Sequence, residues 1–116
     1  MIKIDFKPLS TNQAWKGRRF KSQAYKNYIH AMALLLPNIE LPKPPYKLIL
    51  DLWIDPRADA DNCIKQFQDC LQKKYSFKDN QIYKLVVTKY PTSKNDEKCL
   101  AFNILHYDEN NPKHHW

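Results

Sequence analysis

The chain has a single glycine, Gly17, among its 116 residues. Average protein composition, with about 7% glycine, would give roughly eight. Dinucleotide-binding loops, P-loops and the nucleophile elbow of hydrolases each require several closely spaced glycines. The sequence therefore excludes these three kinds of site, and its eight prolines must interrupt the helices and strands instead.

The net charge of +7 is spread unevenly along the chain. Residues 1–30 contain seven basic side chains and one acidic side chain, whereas residues 31–60 contain three and four. Residues 61–90 contain six basic and three acidic side chains, and residues 91–116 contain three basic and four acidic side chains. A basic protein of this kind favours a polyanionic partner such as nucleic acid, and its acidic patches need a separate explanation.

The spacing of apolar residues predicts a strand, a helix and a second strand in the first half of the chain. Alternation predicts a half-buried strand over 1–7. Ser22 is a candidate helix N-cap, and apolar residues follow it at helical spacing until Pro37. Residues 46–54 are mostly apolar, aromatic or β-branched, as in a central strand.

The second half of the chain predicts one more helix and two more strands. The helix begins at Asp59 or Asp61 and has an apolar stripe at helical spacing. Residues 82–90 and 100–105 have strand-like patterns, and a charged turn joins them. We therefore expect these two strands to form a closing pair.

The element order β-α-β-α-β-β predicts a small α/β (α+β) fold, with a mixed sheet of about four strands packed with two helices. The domain covers residues 1–107, and residues 108–116 form a loose polar tail. His114 and His115 could suggest a metal site, but a frayed chain end explains them better.

Cysteine usage and hydropathy predict a soluble cytoplasmic protein. Cys63, Cys70 and Cys99 form no CxxC pair, and their number is odd. On a helix, Cys63 and Cys70 would be about 10.5 Å apart, too far for a disulfide. Reduced thiols that fill the core are the simplest interpretation. No apolar run approaches 18 residues.

An acidic segment at residues 59–62 follows the predicted central strand and contains Asp59 and Asp61. In an extended segment, side chains two residues apart project to the same side, so both carboxylates could converge on one cation. Mg²⁺ or Mn²⁺ would suit such oxygen ligands. The alternative is that one of the two aspartates only caps the following helix.

Two further polar features have both a structural and a functional interpretation. Lys65 lies one helical turn after Asp61, so it could form an ordinary ion pair or stabilise a phosphate. Asp79 precedes the strand predicted at 82–90 and could be a turn residue or a third metal ligand. The second interpretation requires that strand to lie beside the strand predicted at 46–54.

A basic loop with two aromatic residues lies between the first strand and the first helix. Trp15 and Phe20 are interleaved with four basic residues in this loop. Basic side chains pair with phosphates and aromatic rings stack on bases, so the segment favours nucleic-acid binding over a merely solvated charge run. The basic residues of the loop are Lys16, Arg18, Arg19 and Lys21.

Three segments together resemble the RusA family of Holliday junction resolvases. They are residues 8–12 (PLSTN), 59–65 (DADNCIK) and 77–82 (FKDNQI), in the order found in the family. The D-x-D-N-x-x-K element followed by D-x-Q-[VI] is fairly specific, whereas either half alone is weak.

The resemblance implies roles for individual residues. Asp59, Asp61 and Asp79 match the metal-binding catalytic carboxylates, and Lys65 matches a functionally important lysine. Together with the basic loop, the matching polar positions give the set of predicted DNA-binding residues. These are Asn12, Lys16, Arg18, Arg19, Lys21, Arg57 and Asn62.

Three features depart from the family pattern. Lys78 replaces the first of two aspartates common at the second motif, and Ser76 stands nearest to the position of a frequent glycine. The arginine run before the first motif is reduced to Arg57. None of these departures removes a carboxylate assigned to the metal.

The resemblance implies a homodimeric, Mg²⁺-dependent crossover junction endodeoxyribonuclease that nicks two opposed strands of a four-way DNA junction. Mn²⁺ could substitute. Such enzymes act in DNA recombination and repair and are often encoded by prophages. The alternatives are a catalytically silent DNA-binding module and a metal nuclease that acts on other branched DNA or on RNA.

Overall fold

The computed structural model describes residues 1–10, 15–16, 20–93 and 96–110, and for residues 15–16 and 20–21 it describes only the strand backbone. The strands are β1 (Ile2–Ile4), β2 (Trp15–Lys16), β3 (Phe20–Lys21), β4 (Tyr46–Ile54), β5 (Ile82–Pro91) and β6 (Cys99–His106). The helices are α1 (Gln23–Leu35) and α2 (Ile64–Tyr75), with short 3-10 helices at Ala60–Cys63 and Asp79–Gln81.

Strand β4 is the centre of a four-stranded mixed sheet with the order β1-β6-β4-β5. Along β4, buried and half-buried residues alternate without exception, because one face of the sheet packs on the helices. Strand β5 runs parallel to β4, and β6 runs antiparallel to it. The predicted fold class, with a mixed sheet and two helices, is confirmed, and a small β2–β3 hairpin is added to it.

The predicted pairing of the last two strands is wrong. Strands β5 and β6 lie on opposite sides of β4 and do not pair with each other. Helix α2 connects β4 to β5, and a helical crossover of this kind returns the chain parallel to the strand it left. The other edge of β4 then receives β6, so the hydrogen-bonding groups of this buried strand are satisfied on both sides.

Both helices pack on one face of the sheet around a shared apolar core. Ser22 caps α1 as predicted, with its Oγ accepting a hydrogen bond from the Tyr25 amide at 3.1 Å. From α2, the Phe67 ring meets Phe102 of β6 edge-on, with centroids 5.5 Å apart. None of the described helices is long and apolar enough to cross a membrane.

Helix α2 is followed by its C-cap residue Ser76, which has left-handed backbone angles of φ 56° and ψ 49°. This conformation costs a residue with a Cβ about 1 kcal/mol of free energy, whereas it costs glycine much less. This geometry explains why a glycine would suit the end of this helix, where the chain turns toward Asp79.

Candidate active site

Two carboxylates lie at the end of the sheet where β4 finishes. Asp59 occupies the position before the first 3-10 helix, and Asp61 lies in its first turn. Both residues are exposed to solvent. The Asp59 side chain makes no capping hydrogen bond. The capping role considered for Asp59 is therefore not observed, and its carboxylate is not engaged by the helix it precedes.

The local geometry differs from the extended segment that the spacing suggested. Asp59 has extended angles, φ −85° and ψ 125°, but Asp61 already belongs to the 3-10 helix. The backbone N–H of Asn62 donates a hydrogen bond to the backbone carbonyl of Asp59 at 3.2 Å and closes this tight turn. The two carboxylates thus share one short turn, rather than one face of a strand.

Lys65 lies in the first turn of α2, and its side chain is exposed. Within the part of the chain that the structure describes, it forms no ion pair with Asp61. The ordinary ion pair expected from their spacing is therefore not formed. The Lys65 ammonium is consequently not neutralised by this carboxylate and could act on a bound phosphate.

A lysine on β5 fixes the backbone that leads into this turn. Lys89 Nζ donates to the Pro56 carbonyl at 2.7 Å and to the Ala58 carbonyl at 2.6 Å. Sequence reasoning missed this role. The available signal was the alternation of β5, which places Lys89 on the same face as Val87, beside the buried Leu52.

Arg57 is held by Asp55 directly after β4. The Arg57 amide donates to Asp55 Oδ1 at 2.8 Å, and the guanidinium Nε donates to the same oxygen at 3.2 Å. These hydrogen bonds lower the pKa of Asp55 from 3.8 to about 2, and the side-chain hydrogen bond has a larger effect than the backbone hydrogen bond. Part of the charge that Arg57 could offer to DNA is thus already used within the protein.

We expect the Arg57→Gln substitution to return the pKa of Asp55 from about 2 toward its ordinary value near 3.8. Because the pKa of Asp55 is lowered in the folded state, the Asp55–Arg57 pair stabilises the fold at pH values above the ordinary pKa of an aspartate. This stabilisation disappears as the pH falls through about 2. A carboxyl-carbon NMR titration measures the shift. Arg57→Lys, which keeps a cation but not the fork of donors, should give an intermediate value. An unchanged pKa in Arg57→Gln would assign the shift to another group.

Asp79 lies at the opposite end of the sheet from the other two aspartates. It begins the 3-10 helix before β5, and the first residue of β5, Ile82, is paired with Tyr46 at the start of β4. The nine residues of β4 separate these ends by about 26 Å. In the described residues, no three His, Cys, Asp or Glu side chains form a group that could hold a metal. Strands β4 and β5 are adjacent as required, but their parallel direction separates Asp79 from Asp59 and Asp61.

The remaining predicted DNA contacts lie mostly beyond what the structure describes. Asn62 is half-buried beside the carboxylate pair. The other contacts are those of the loop between β1 and α1, where only the backbone of the β2–β3 hairpin is described. Outside the described residues or side chains lie Asn12, Lys16, Arg18, Arg19 and Lys21, and likewise His114 and His115.

The turn at the end of β4 has the composition of a divalent cation site that is completed by substrate. Two exposed carboxylates supply hard oxygen ligands, and Lys65 supplies a nearby positive charge. Mg²⁺ usually binds through one or two carboxylates, with water and phosphate oxygens filling its other positions. The described geometry is therefore suited to holding a phosphate through a cation.

Comparison with known proteins gives a family match. The family model described as endodeoxyribonuclease RusA matches residues 5–97 of the 116-residue chain. The match includes all three predicted catalytic aspartates and Lys65. No curated protein matches the chain at a significant level.

Proposed function

The chain belongs to the RusA endodeoxyribonuclease family, and from this premise we propose that it resolves four-way DNA junctions by metal-assisted hydrolysis of the phosphodiester. Paired nicks in two opposed strands would separate the joined duplexes during recombination and repair. The observation that carries the proposal is the pair of exposed carboxylates of Asp59 and Asp61, both within the region that the family model matches. The Asp59 side chain makes no hydrogen bond that caps the following helix.

The residues present fit Mg²⁺, with Mn²⁺ as a substitute. Asp59 and Asp61 supply carboxylate oxygens, the ligands that both ions prefer. When bound, such an ion polarises the phosphate and lowers the pKa of a bound water, which makes it a nucleophile at neutral pH. The thiols of Cys63 and Cys70 are buried in the core, where burial raises their pKa values, so they offer no competing soft ligand.

The protein's own groups orient the phosphate and stabilise its charge. Lys65, exposed in the first turn of α2, would approach the phosphate oxygens and stabilise the negative charge that increases during attack. Lys89 is a positioning residue, because its two hydrogen bonds hold the backbone of Pro56 and Ala58 directly before Asp59. Because the backbone before the carboxylates is held rigidly, less conformational entropy is lost when the carboxylates are oriented for the reaction.

Asp79 would reach Asp59 and Asp61 from a second copy of the chain. Within one chain the ends of β4 and β5 keep these groups about 26 Å apart. A two-fold axis perpendicular to these strands reverses their direction, so a dimer of this kind would allow the start of β5 in one copy to lie beside the end of β4 in the other. Such a homodimer would contain two equivalent sites, as two opposed nicks require.

The basic hairpin would bind the DNA arms around the branch. Its strands β2 and β3 contain Trp15 and Phe20, and this segment also contains the basic residues Lys16, Arg18, Arg19 and Lys21. Such a hairpin suits the phosphate backbone through charge and unstacked bases through its rings. Arg57 would add a weaker contact, because Asp55 already binds its guanidinium.

The test is cleavage of a synthetic four-way junction by the unaltered protein. We expect nicks in opposed strands with Mg²⁺ or Mn²⁺, no cleavage with a chelator, and little cleavage of linear duplex of the same sequence. The same assay with replication forks, flaps and structured RNA tests the alternative nuclease substrates. Binding to junctions without cleavage of any substrate would instead identify a silent DNA-binding module.

A further inference from the structure

A cavity of about 370 Å³ opens beside the carboxylate turn, at the same end of the sheet. Lys7 and Ser10 line it from the segment after β1, and Lys98 lines it from the residue before β6. Ala58 and Cys63 form the wall toward the carboxylates, since they flank the turn that contains Asp59 and Asp61. The cavity therefore lies directly against the proposed cleavage site.

The cavity has an excess of positive charge. Lys7 is exposed and Lys98 is half-buried, and within the described residues neither forms an ion pair. The one carboxylate in the lining, Asp55, is already bound by Arg57 through two guanidinium nitrogens. Two ammonium groups thus face a site whose negative charge is largely neutralised.

The lining favours phosphate over a nucleobase or an apolar ligand. Among the described residues that line the cavity none is aromatic, so it offers no surface on which a base could stack. Lysine ammonium groups are compact point charges that bind phosphate oxygens from several directions. In a nucleic-acid strand every nucleotide has a phosphate. When one phosphate is held near Asp59 and Asp61, the neighbouring phosphates of the same strand therefore lie close to the cavity.

We propose that Lys7 and Lys98 bind a phosphate of the DNA backbone next to the one that is cleaved. This assignment rests on the proposed function and adds two substrate contacts that lie outside the motifs of the sequence analysis. The two lysines would fix the direction in which the cleaved strand enters the site. Both lysines line the cavity, whereas Asp59 and Asp61 do not, so the lysines would hold the strand beside the metal-binding carboxylates rather than at them.

The experiment measures binding without cleavage. Lys7→Gln, Lys98→Gln and the double variant are titrated with a fluorescent four-way junction in chelator, at several salt concentrations. The double variant, which loses the whole phosphate contact, should bind about eightfold more weakly at 0.1 M salt for each subunit that contacts the junction, and its slope of log K against log salt should be smaller by about 0.9 per subunit, the value for one lost phosphate contact. Each single substitution should change both quantities in the same direction by a smaller amount, because the other lysine still contacts the phosphate.

Two matched controls accompany these variants. Lys73→Gln removes the same charge from an exposed position on α2, on the helical side of the fold, and should leave affinity and slope unchanged. Lys98→Arg keeps the charge at the cavity and should retain the salt slope of the unaltered protein, because this slope depends on the number of phosphates neutralised. Circular dichroism verifies that every variant is folded.

The outcomes separate this inference from the proposed function. If the unaltered protein binds the junction and the Lys7 and Lys98 variants bind equally well with the same slope, the cavity assignment is overturned and the nuclease proposal stands. If the unaltered protein binds no branched DNA, both are overturned. Calorimetric binding of inorganic phosphate that the double variant loses, with DNA binding intact, would assign the cavity to a free anion and overturn the backbone contact.

Discussion

The Asp61→Asn variant should cleave four-way junctions at least about 100-fold more slowly than the unaltered protein in Mg²⁺, while binding them equally well or better. Losing even an outer-shell partner of a metal ligand costs about 10- to 100-fold, so losing a ligand should cost more. Binding improves because a negative charge near the phosphates is removed. Single-turnover cleavage of a labelled junction and its titration in chelator measure the two effects.

Glu40→Gln is the matched control for this variant. Glu40 is an exposed carboxylate in the connection between α1 and β4, outside the carboxylate turn, and its neutralisation removes the same charge. It should leave both cleavage and binding unchanged. If Asp61→Asn cleaves as fast as the Glu40→Gln control, the carboxylate turn does not hold the catalytic metal.

Mixing the inactive Asp61→Asn and Asp79→Asn variants should restore cleavage to about a quarter of the sites present in the unaltered protein. With random exchange of subunits, about half of the dimers contain one copy of each variant. If Asp79 serves the site of its partner, each mixed dimer has one site with Asp59, Asp61 and Asp79 intact and one site lacking two of them. The products should be single nicks, which a denaturing gel distinguishes from paired cleavage.

A second mixture controls for nonspecific rescue. Asp59→Asn combined with Asp61→Asn damages the same carboxylate pair in both chains, so no mixed dimer has an intact site and no cleavage should return. Sedimentation should show a dimer at the concentrations of the assay. If the Asp61→Asn and Asp79→Asn mixture also stays inactive although subunits exchange, the shared site is wrong.

Elements whose determinants are local were predicted closely from the sequence. The pattern of residues 46–54 predicts a strand, and β4 has these bounds, because nine mostly apolar residues between a proline-rich segment and Asp55-Pro56 leave few alternatives. The Ser22 cap was likewise predicted, since its Oγ needs only the amide three residues later. The acidic segment is evident because Asp59 and Asp61 lie only two positions apart, although the structure forms a tight turn there rather than the extended segment that the spacing suggested.

Features that depend on contacts distant in the sequence were not predicted. The strand pattern of 82–90 is the same whether the strand forms a hairpin with 100–105 or lies parallel to β4, so periodicity could not choose its partner. The role of Lys89 cannot be predicted from this pattern, because its acceptors, the Pro56 and Ala58 carbonyls, lie more than thirty positions earlier.

By itself, the sequence determined which chemistry is available to this protein. A single glycine excluded phosphate loops built from backbone amides, and the excess of lysine and arginine favoured a phosphate-bearing partner, which supports the proposal that a metal ion and side chains hold the phosphate. Only the tertiary structure decided where those side chains meet. The parallel pairing of β4 and β5 puts Asp79 at the far end from Asp61, because parallel strands begin at the same edge of a sheet and the two residues lie at opposite ends of theirs. The same packing brings Lys7 and Lys98, 91 residues apart, to one cavity beside the carboxylates.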